Sequence, residues 1–247
     1  MEKALMAGHS DTALALIKAG ADGTNALVTS AQHGLTNAVR PLVLSGHVKI
    51  DHQDSDGCTA LIRAAQNGFL GTVSALILAH SEVEIEDKYK DTALIKAAQK
   101  NHLEIVKELI KTGANIEHTN ITGYTALSMA SRYGHSDSVR ALIIALANID
   151  HQDMDGNTAL ILASQNGHIQ TVCDLIKAKA NIDHGNTYGT TALMMAAENG
   201  SSAIVTELLA AGADIYKQDQ YGSTAQTLGE KNNHTSIVNV IETARAT

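Results

Sequence analysis

Tryptophan is absent from the sequence and Phe69 is its only phenylalanine, so aromatic residues supply 3% of the chain although apolar types supply 44%. A core so poor in rings has to be filled by Leu, Ile, Val and Ala, which suits short helices stacked closely together. Positive charge is scarce as well: 18 Lys and Arg stand against 26 Asp and Glu, giving a formal charge of −8 and a pI near 5.8. A nucleic-acid surface needs clustered cations to displace counterions from phosphates. The balance found here argues against one and fits a neutral or basic protein partner better. No stretch approaches the roughly 20 apolar residues of a membrane span, and no charged, apolar, small-residue leader is visible, so no membrane partner is expected. The sequence also lacks Gly-x-Ser-x-Gly, His-Glu-x-x-His, Walker and Gly-x-Gly-x-x-Gly motifs, and each absence removes a catalytic template. The expectation is a chain that is not an enzyme and uses no cofactor.

What the sequence does hold is a period. A Thr-Ala pair recurs at Thr59, Thr92, Thr125, Thr158, Thr191 and Thr224, followed by Leu in all but the last copy, and every step is 33 residues. A fixed period of that size signals small supersecondary units stacked in a row. Each unit reads as finger, helix, tight turn, helix, loop. In the copy opening at Asp153, the acid is placed to accept backbone N–H bonds in a turn, Gly156 supplies a positive φ, and Thr158 caps the first helix through its hydroxyl. Leu160 and Ala163 form a core stripe at helical spacing. Gly167 then closes that helix in a left-handed conformation, and the same place holds Gly34, Gly68, Asn101, Gly134, Gly200 and Asn233. The second helix is expected to bury Ile169, Val172, Leu175 and Ile176, with Ala180-Asn181-Ile182 leading to the next finger.

An Asp-x-x-Gly-x-Thr-Ala-Leu opening followed by two short helices resembles the ankyrin repeat. The resemblance covers nearly the whole chain and implies an all-α repeat solenoid of helix-turn-helix units with β-hairpin-like fingers. About seven and a half repeats would form one domain over residues 1–247, with units near 1–22 (truncated), 23–52, 53–85, 86–118, 119–151, 152–184, 185–217 and a C-terminal cap at 218–247. It also implies a structural hydrogen bond to a neighbouring unit from His9, His102, His135, His168 and His234, which directly follow the Gly or Asn turn. Two departures stand out. The family's Thr-Pro-Leu-His becomes Thr-Ala-Leu followed by Ile62, Ile95, Ser128, Ile161 or Met194, or Thr-Ala-Gln followed by Thr227, so those helix starts are expected to rely on apolar packing. In the fourth unit Lys90 stands where other copies have Gly, which predicts a strained or rebuilt turn.

The beginning of the chain is irregular. Gly8-His9 matches the Gly-His of later units, which puts Met1 inside the first helix of its own unit; a second helix over Asp11–Lys18 and an end at Gly20-Ala21-Asp22 follow. Four residues separate Gly20 from Asn25, against eleven between Gly113 and Thr125, so the first finger is deleted. A natural shortened cap and a leader removed before Met1 both fit. The localisation is cytoplasmic by default, and periplasmic or secreted under the second reading. Pro41, the only proline, falls in a second helix and predicts a kink or a late helix start.

Candidate chemistry is thin. Asp54-Ser55-Asp56-Gly57 and Asp153-Met154-Asp155-Gly156 resemble the middle of a calcium loop, but His52 and His151 take the first-ligand positions and Arg63 and Leu162 the bidentate one. His52, His118, His151 and His184 recur at equivalent finger positions, and such positions in adjacent units lie roughly 8–10 Å apart, the spacing of stacked helix layers, whereas one zinc draws its ligands to about 2 Å from itself. No metal site is expected. Cys58 and Cys173 lie in units separated by two others, beyond the roughly 7 Å reach of a disulfide, which predicts two free thiols.

The tyrosines say more. In ankyrin-like proteins the partner is usually held by the finger tips and the exposed ends of the first helices, which line a concave face. Tyr89, Tyr124, Tyr188 and Tyr221 sit on fingers, Tyr133 ends a first helix, and Ile121, Met154 and Arg132 join them; only Tyr216 falls elsewhere. These residue types carry interface energy, so the eight residues are the candidate partner-binding set, with Tyr124 and Tyr133 expected to be exposed. The implied function is non-catalytic protein binding by a chain that is a monomer in isolation. Two versions stay open: an adaptor that recruits its partner, and an inhibitor or immunity-type protein that covers an enzyme's active site.

Overall fold

The structure, a computed structural model, describes residues 23–245. The readings at Gly8-His9, Asp11–Lys18 and Gly20-Ala21-Asp22, and most of the shortened connection after them, lie outside the described residues. Among the described residues there are fourteen helices and no strand. The expected β-hairpin-like fingers are therefore tight turns.

The chain forms two compact segments, dividing after Ile121. The first contains α1 (Thr24–Gln32), α2 (Thr36–Leu44), α3 (Ala60–Gln66), α4 (Leu70–Leu78), α5 (Ala93–Gln99) and α6 (Leu103–Lys111). The second contains α7 (Ala126–Arg132), α8 (Ser136–Ile144), α9 (Ala159–Gln165), α10 (Ile169–Lys177), α11 (Ala192–Glu198), α12 (Ser202–Ala210), α13 (Ala225–Lys231) and α14 (Thr235–Arg245). Within each segment the odd-numbered helices stack on one another, the even-numbered helices do the same, and each pair packs on itself, so the main contacts join sequence neighbours. Such a stack is an all-α repeat solenoid.

Seven-residue helices such as α3 are too short to persist alone in water; a cap and burial hold them. Thr59 is extended at φ −80° and ψ 170°, and its hydroxyl accepts the Ile62 N–H at 3.2 Å. Thr125 does the same for Ser128 at 3.2 Å. Removing such a cap typically costs about 1 kcal/mol. Ile62, Ile95, Ile161 and Met194, which replace the family's histidine, are all buried to 1% exposure, so apolar packing does support those starts. In the last copy Thr224 and Thr227 cap each other reciprocally instead.

The second helices bury less than the spacing suggests. In α10, Thr171, Val172 and Leu175 are buried, but Ile169 is exposed and Ile176 only half-buried. Only one face of this helix meets its partner helix, and that face is the adjacent pair plus the residue one turn on. Ile105, Val106 and Leu109 repeat it in α6, and Ile204, Val205 and Leu208 in α12. Pro41 does not delay its helix: α2 begins directly after Leu35, as its equivalents begin after Phe69 and His102, and runs through the proline to Leu44.

The finger turns show why Gly is preferred. A Cβ on Gly57 would lie 2.9 Å from the Lys88 backbone nitrogen, and one on Gly156 2.8 Å from that of Thr187. Each of these glycines also has positive φ. Lys90 adopts the same left-handed conformation, φ 58°, with its N–H bonded to the Asp87 carbonyl at 2.9 Å. The fourth finger thus keeps its neighbours' geometry, and the strain expected of a left-handed lysine is present.

Candidate interaction face

Consecutive fingers are stitched by single backbone hydrogen bonds. In the first segment the Lys88 N–H reaches the Asp56 carbonyl at 3.0 Å and the Ile121 N–H reaches that of Tyr89 at 2.9 Å. In the second, Met154 donates to Thr122 at 3.2 Å, Thr187 to Asp155 at 3.0 Å, and Gln220 to Tyr188 at 2.8 Å. The tips therefore form a fixed row within each segment, one tip per repeat.

In the first segment Tyr89 and Ile121 are side by side and exposed, at 62% and 55%. In the second, Met154, Tyr188 and Tyr221 project from successive tips, and Tyr133 is exposed at the end of α7 with its ring stacked on His135 at 6.1 Å. Tyr124 corrects the expectation of an exposed ring. It is half-buried because Arg132, two turns along α7, folds back over it: Cζ lies 5.3 Å from the ring centroid and Nη1 donates to the phenol oxygen at 2.7 Å. Burial, partly offset by Arg132, pushes the Tyr124 phenol above its usual value. The exposed Arg132 guanidinium is thereby held in place at the tip of its helix.

Beneath the fingers lie charged networks that the sequence reading missed. Arg63 donates from Nε to Asp54 at 2.8 Å and from Nη2 to Asp56 at 2.6 Å. Burial raises the Asp54 carboxyl, but the Arg63 hydrogen bond and the N–H groups of Asp56 and Cys58 outweigh it and hold the group below its usual range. One repeat later Lys96 replaces Arg63. Its Nζ sits 2.8 Å from Asp87 and 2.7 Å from Asp91, with the lysine side chain 9% exposed and the two carboxylates 3% and 6%. Asn120 Nδ2 donates to the second oxygen of Asp91 at 2.9 Å. Burial lowers the Lys96 ammonium and the two carboxylates raise it by more, so it stands above the ordinary lysine value. The signal was in the sequence: the same position holds Met129, Leu162, Met195 and Leu228 in the other copies. A cation there requires acids in the finger to meet it.

The histidines are structural clamps. His102 donates through Nε2 to the Gln66 carbonyl at 3.1 Å, His168 to Arg132 at 3.0 Å and His234 to Glu198 at 3.1 Å, the bonds between neighbouring units that the resemblance implied. The finger histidines do likewise, which the sequence did not reveal: His118, His151 and His184 donate to the carbonyls of Lys90, Gly123 and Gly156 at 2.9–3.0 Å. Among the described residues no group of three or more His, Cys, Asp or Glu is arranged to hold a metal, and no helix is long and apolar enough to cross a membrane. Both cysteines are free, and burial pushes the Cys58 thiol up to about 11.

No curated protein matches the chain in a search by sequence. The family profile described as ankyrin repeats (3 copies) matches it three times, over residues 1–87, 64–155 and 141–219. Families of this kind are generally protein-interaction modules and typically not catalysts. With capped helix pairs, left-handed turns and clamping histidines repeating through both segments, and the profile matching most of its length, the chain belongs to the ankyrin-repeat family.

Proposed function

We propose that this chain is a non-catalytic binding module that holds a protein partner on the finger tips and first-helix ends. The observation that carries the reading is the exposure of Tyr133, Met154, Tyr188 and Tyr221 in the second segment and of Tyr89 and Ile121 in the first, in a chain with a single phenylalanine and no tryptophan. The first helices bury their Leu, Ile and Ala almost completely, while the second helices leave Leu44, Leu78 and Ile144 exposed; the finger turns lie outside both, so packing within a repeat gives no reason to set large rings on them. Tyr, Met and Arg are enriched at protein interfaces, and Tyr and Arg are among the residues whose truncation there costs most. Within the second segment Tyr124 and Arg132 add a held pair, and Tyr188 and Tyr221 lie further along that segment's row as rim contacts.

The test is affinity capture from the cells that make the protein, run in parallel with wild type and with a Tyr133→Ala/Met154→Ala variant. Both side chains are exposed, so the thermal midpoint should hold while recovery of the true partner falls at least about tenfold, equivalent to 1.4 kcal/mol. A partner retained equally by both baits would move the binding surface off the fingers. A single stoichiometric hydrolase would mark the protein as an inhibitor, and several unrelated partners as an adaptor.

A further inference from the structure

The fourth finger inverts the charge of the molecule around it. Its tip reads Lys88-Tyr89-Lys90, all three exposed, and Lys100 is exposed at the end of the α5 helix that follows. None of these three lysines has a carboxylate within ion-pair distance among the described residues. The acids nearby are otherwise engaged: Asp87 and Asp91 are buried on Lys96, Asp56 is paired with Arg63, and Glu86 faces His118 at 3.5 Å. The other tips, Ser55-Asp56, Ile121-Thr122, Met154-Asp155, Thr187-Tyr188 and Gln220-Tyr221, carry no cation.

The placement is costly in backbone strain. Lys90 holds a left-handed φ of 58° where five other fingers use Gly57, Gly123, Gly156, Gly189 and Gly222. Backbone strain of this kind persists where the surroundings over-determine it, and it clusters at functional sites. Here the surroundings are the buried Asp87, whose Oδ1 accepts the N–H groups of Tyr89 and Asp91 at 2.8 and 2.9 Å, bracketing Lys90 on both sides. Glycine serves this turn in five other fingers, so the turn itself does not call for a lysine side chain. Beside it Tyr89 and Ile121 form an exposed apolar pair joined by the backbone bond already described.

We infer that the fourth finger is a recognition site for an acidic protein segment, with Lys88 and Lys90 engaging Asp or Glu side chains and Tyr89 and Ile121 covering an apolar residue between them. This rests on the proposed binding role and names the chemistry of one part of the partner. The whole-chain charge favours a neutral or basic partner, but the local field at the tip decides which side chains settle there, since exposed charges are screened beyond about 10 Å at ordinary salt. A nucleic-acid strand is the poorer occupant: its phosphate spacing calls for a longer track of cations than three lysines on a chain of charge −8 provide.

The experiment is selection of a phage library of random short peptides on the full chain, followed by fluorescence anisotropy of the best peptide and its Glu→Gln, Asp→Asn form. Wild type should select Asp or Glu beside an aromatic or aliphatic residue. A Lys88→Ala/Lys90→Gly variant should bind the acidic peptide about tenfold more weakly, each exposed cation contributing up to about fivefold, and should no longer distinguish it from the amide form. Lys90→Gly keeps the turn, so that loss cannot be assigned to unfolding. Peptides selected without acids, or an acidic peptide bound equally by the variant, would overturn the inference and leave the binding role standing. Failure to select any peptide would count against both, and displacement of the peptide by a single-stranded oligonucleotide at lower concentration would replace the protein segment with nucleic acid.

Discussion

Replacing Lys96 by leucine removes one ammonium and strands two carboxylates. Asp87 and Asp91 are 3% and 6% exposed and each is within 2.8 Å of Lys96 Nζ. Among the described residues no other Lys or Arg lies within ion-pair distance of them, and Arg63 is held on Asp54 and Asp56. Breaking a buried pair from one side typically costs about 3–5 kcal/mol, since the remaining charge is left uncompensated. The lysine side chain is 9% exposed, so solvent screening takes little from that figure. Yet the sixth repeat shows that the finger does not need the cation: there the equivalent positions hold Asp153, Asn157, Leu162 and Asn186, joined by Asn157 Nδ2 to Asp153 at 3.1 Å and Asn186 Nδ2 to Asn157 Oδ1 at 2.9 Å. Asp91→Asn/Lys96→Leu copies that arrangement into the fourth repeat. The single variant should therefore lose about 3–5 kcal/mol, and the double variant should recover most of it.

Urea denaturation followed by far-ultraviolet circular dichroism measures both. The pH dependence supplies an independent check with a fixed sign. Lys96 is raised above the ordinary lysine value of 10.5 in the folded chain, burial opposing and the two carboxylates prevailing. A raised lysine stabilises fully below the unfolded-state value and loses that stabilisation as pH climbs through the folded one. The advantage of wild type over the single variant should accordingly be flat through neutral pH and shrink above 10.5. A loss under about 1 kcal/mol in the single variant, or a double variant no better than the single, would refute the claim that these carboxylates depend on Lys96.

Two further outcomes follow from the turn and the thiols. Lys90→Gly should stabilise the chain by up to roughly 1 kcal/mol in chemical denaturation, the left-handed strain of about 1–2 kcal/mol less the chain entropy glycine adds to the unfolded state; clear destabilisation would mean that its side chain supports the fold. Cys58, buried with its thiol near 11, should resist iodoacetamide at neutral pH until denaturant is added, because the thiolate is the reactive form; labelling in the folded state, read by mass spectrometry, would show that the third finger opens.

What the sequence revealed and what it hid divide by the distance over which each feature is decided. The Thr caps, the left-handed Gly and Asn turns and the Asp turn at Asp153 are settled within three or four residues of chain, and the structure has them where the spacing put them. The exposure of Ile169 and Ile176 depends on which side of α10 its partner helix covers, and a helical stripe alone does not say that. Tyr124 is half-buried only because Arg132 is carried back over it by the two turns of α7. The finger histidines suggest metal ligands only to be excluded by spacing, while their actual partners, backbone carbonyls 28 residues earlier, have no signature in side-chain pattern. The exposed Tyr and Met positions were legible because they violate the aliphatic economy of the rest of the chain.

The most informative departure was Lys90, and the sequence showed only half of it. A lysine in a glycine position announces strain, but not what sustains it. The structure places the brace on either side: Asp87 takes the N–H groups of Tyr89 and Asp91 and is itself fixed by Lys96, which also fixes Asp91. Lys90 and Lys96 therefore act on one network, and substitutions in one network do not add. With the brace intact, the turn is forced to keep its strained geometry and Lys90→Gly relieves it only to the extent that glycine's unfolded entropy allows. With Lys96→Leu the turn is free to relax, so the strain has already been shed and Lys90→Gly should gain less than it does in wild type. A double-mutant cycle in urea should thus show coupling of about 0.5 kcal/mol or more. Strict additivity would mean that the buried carboxylates and the strained lysine are independent, and that the turn holds its shape through the clamp of His118 on the Lys90 carbonyl alone.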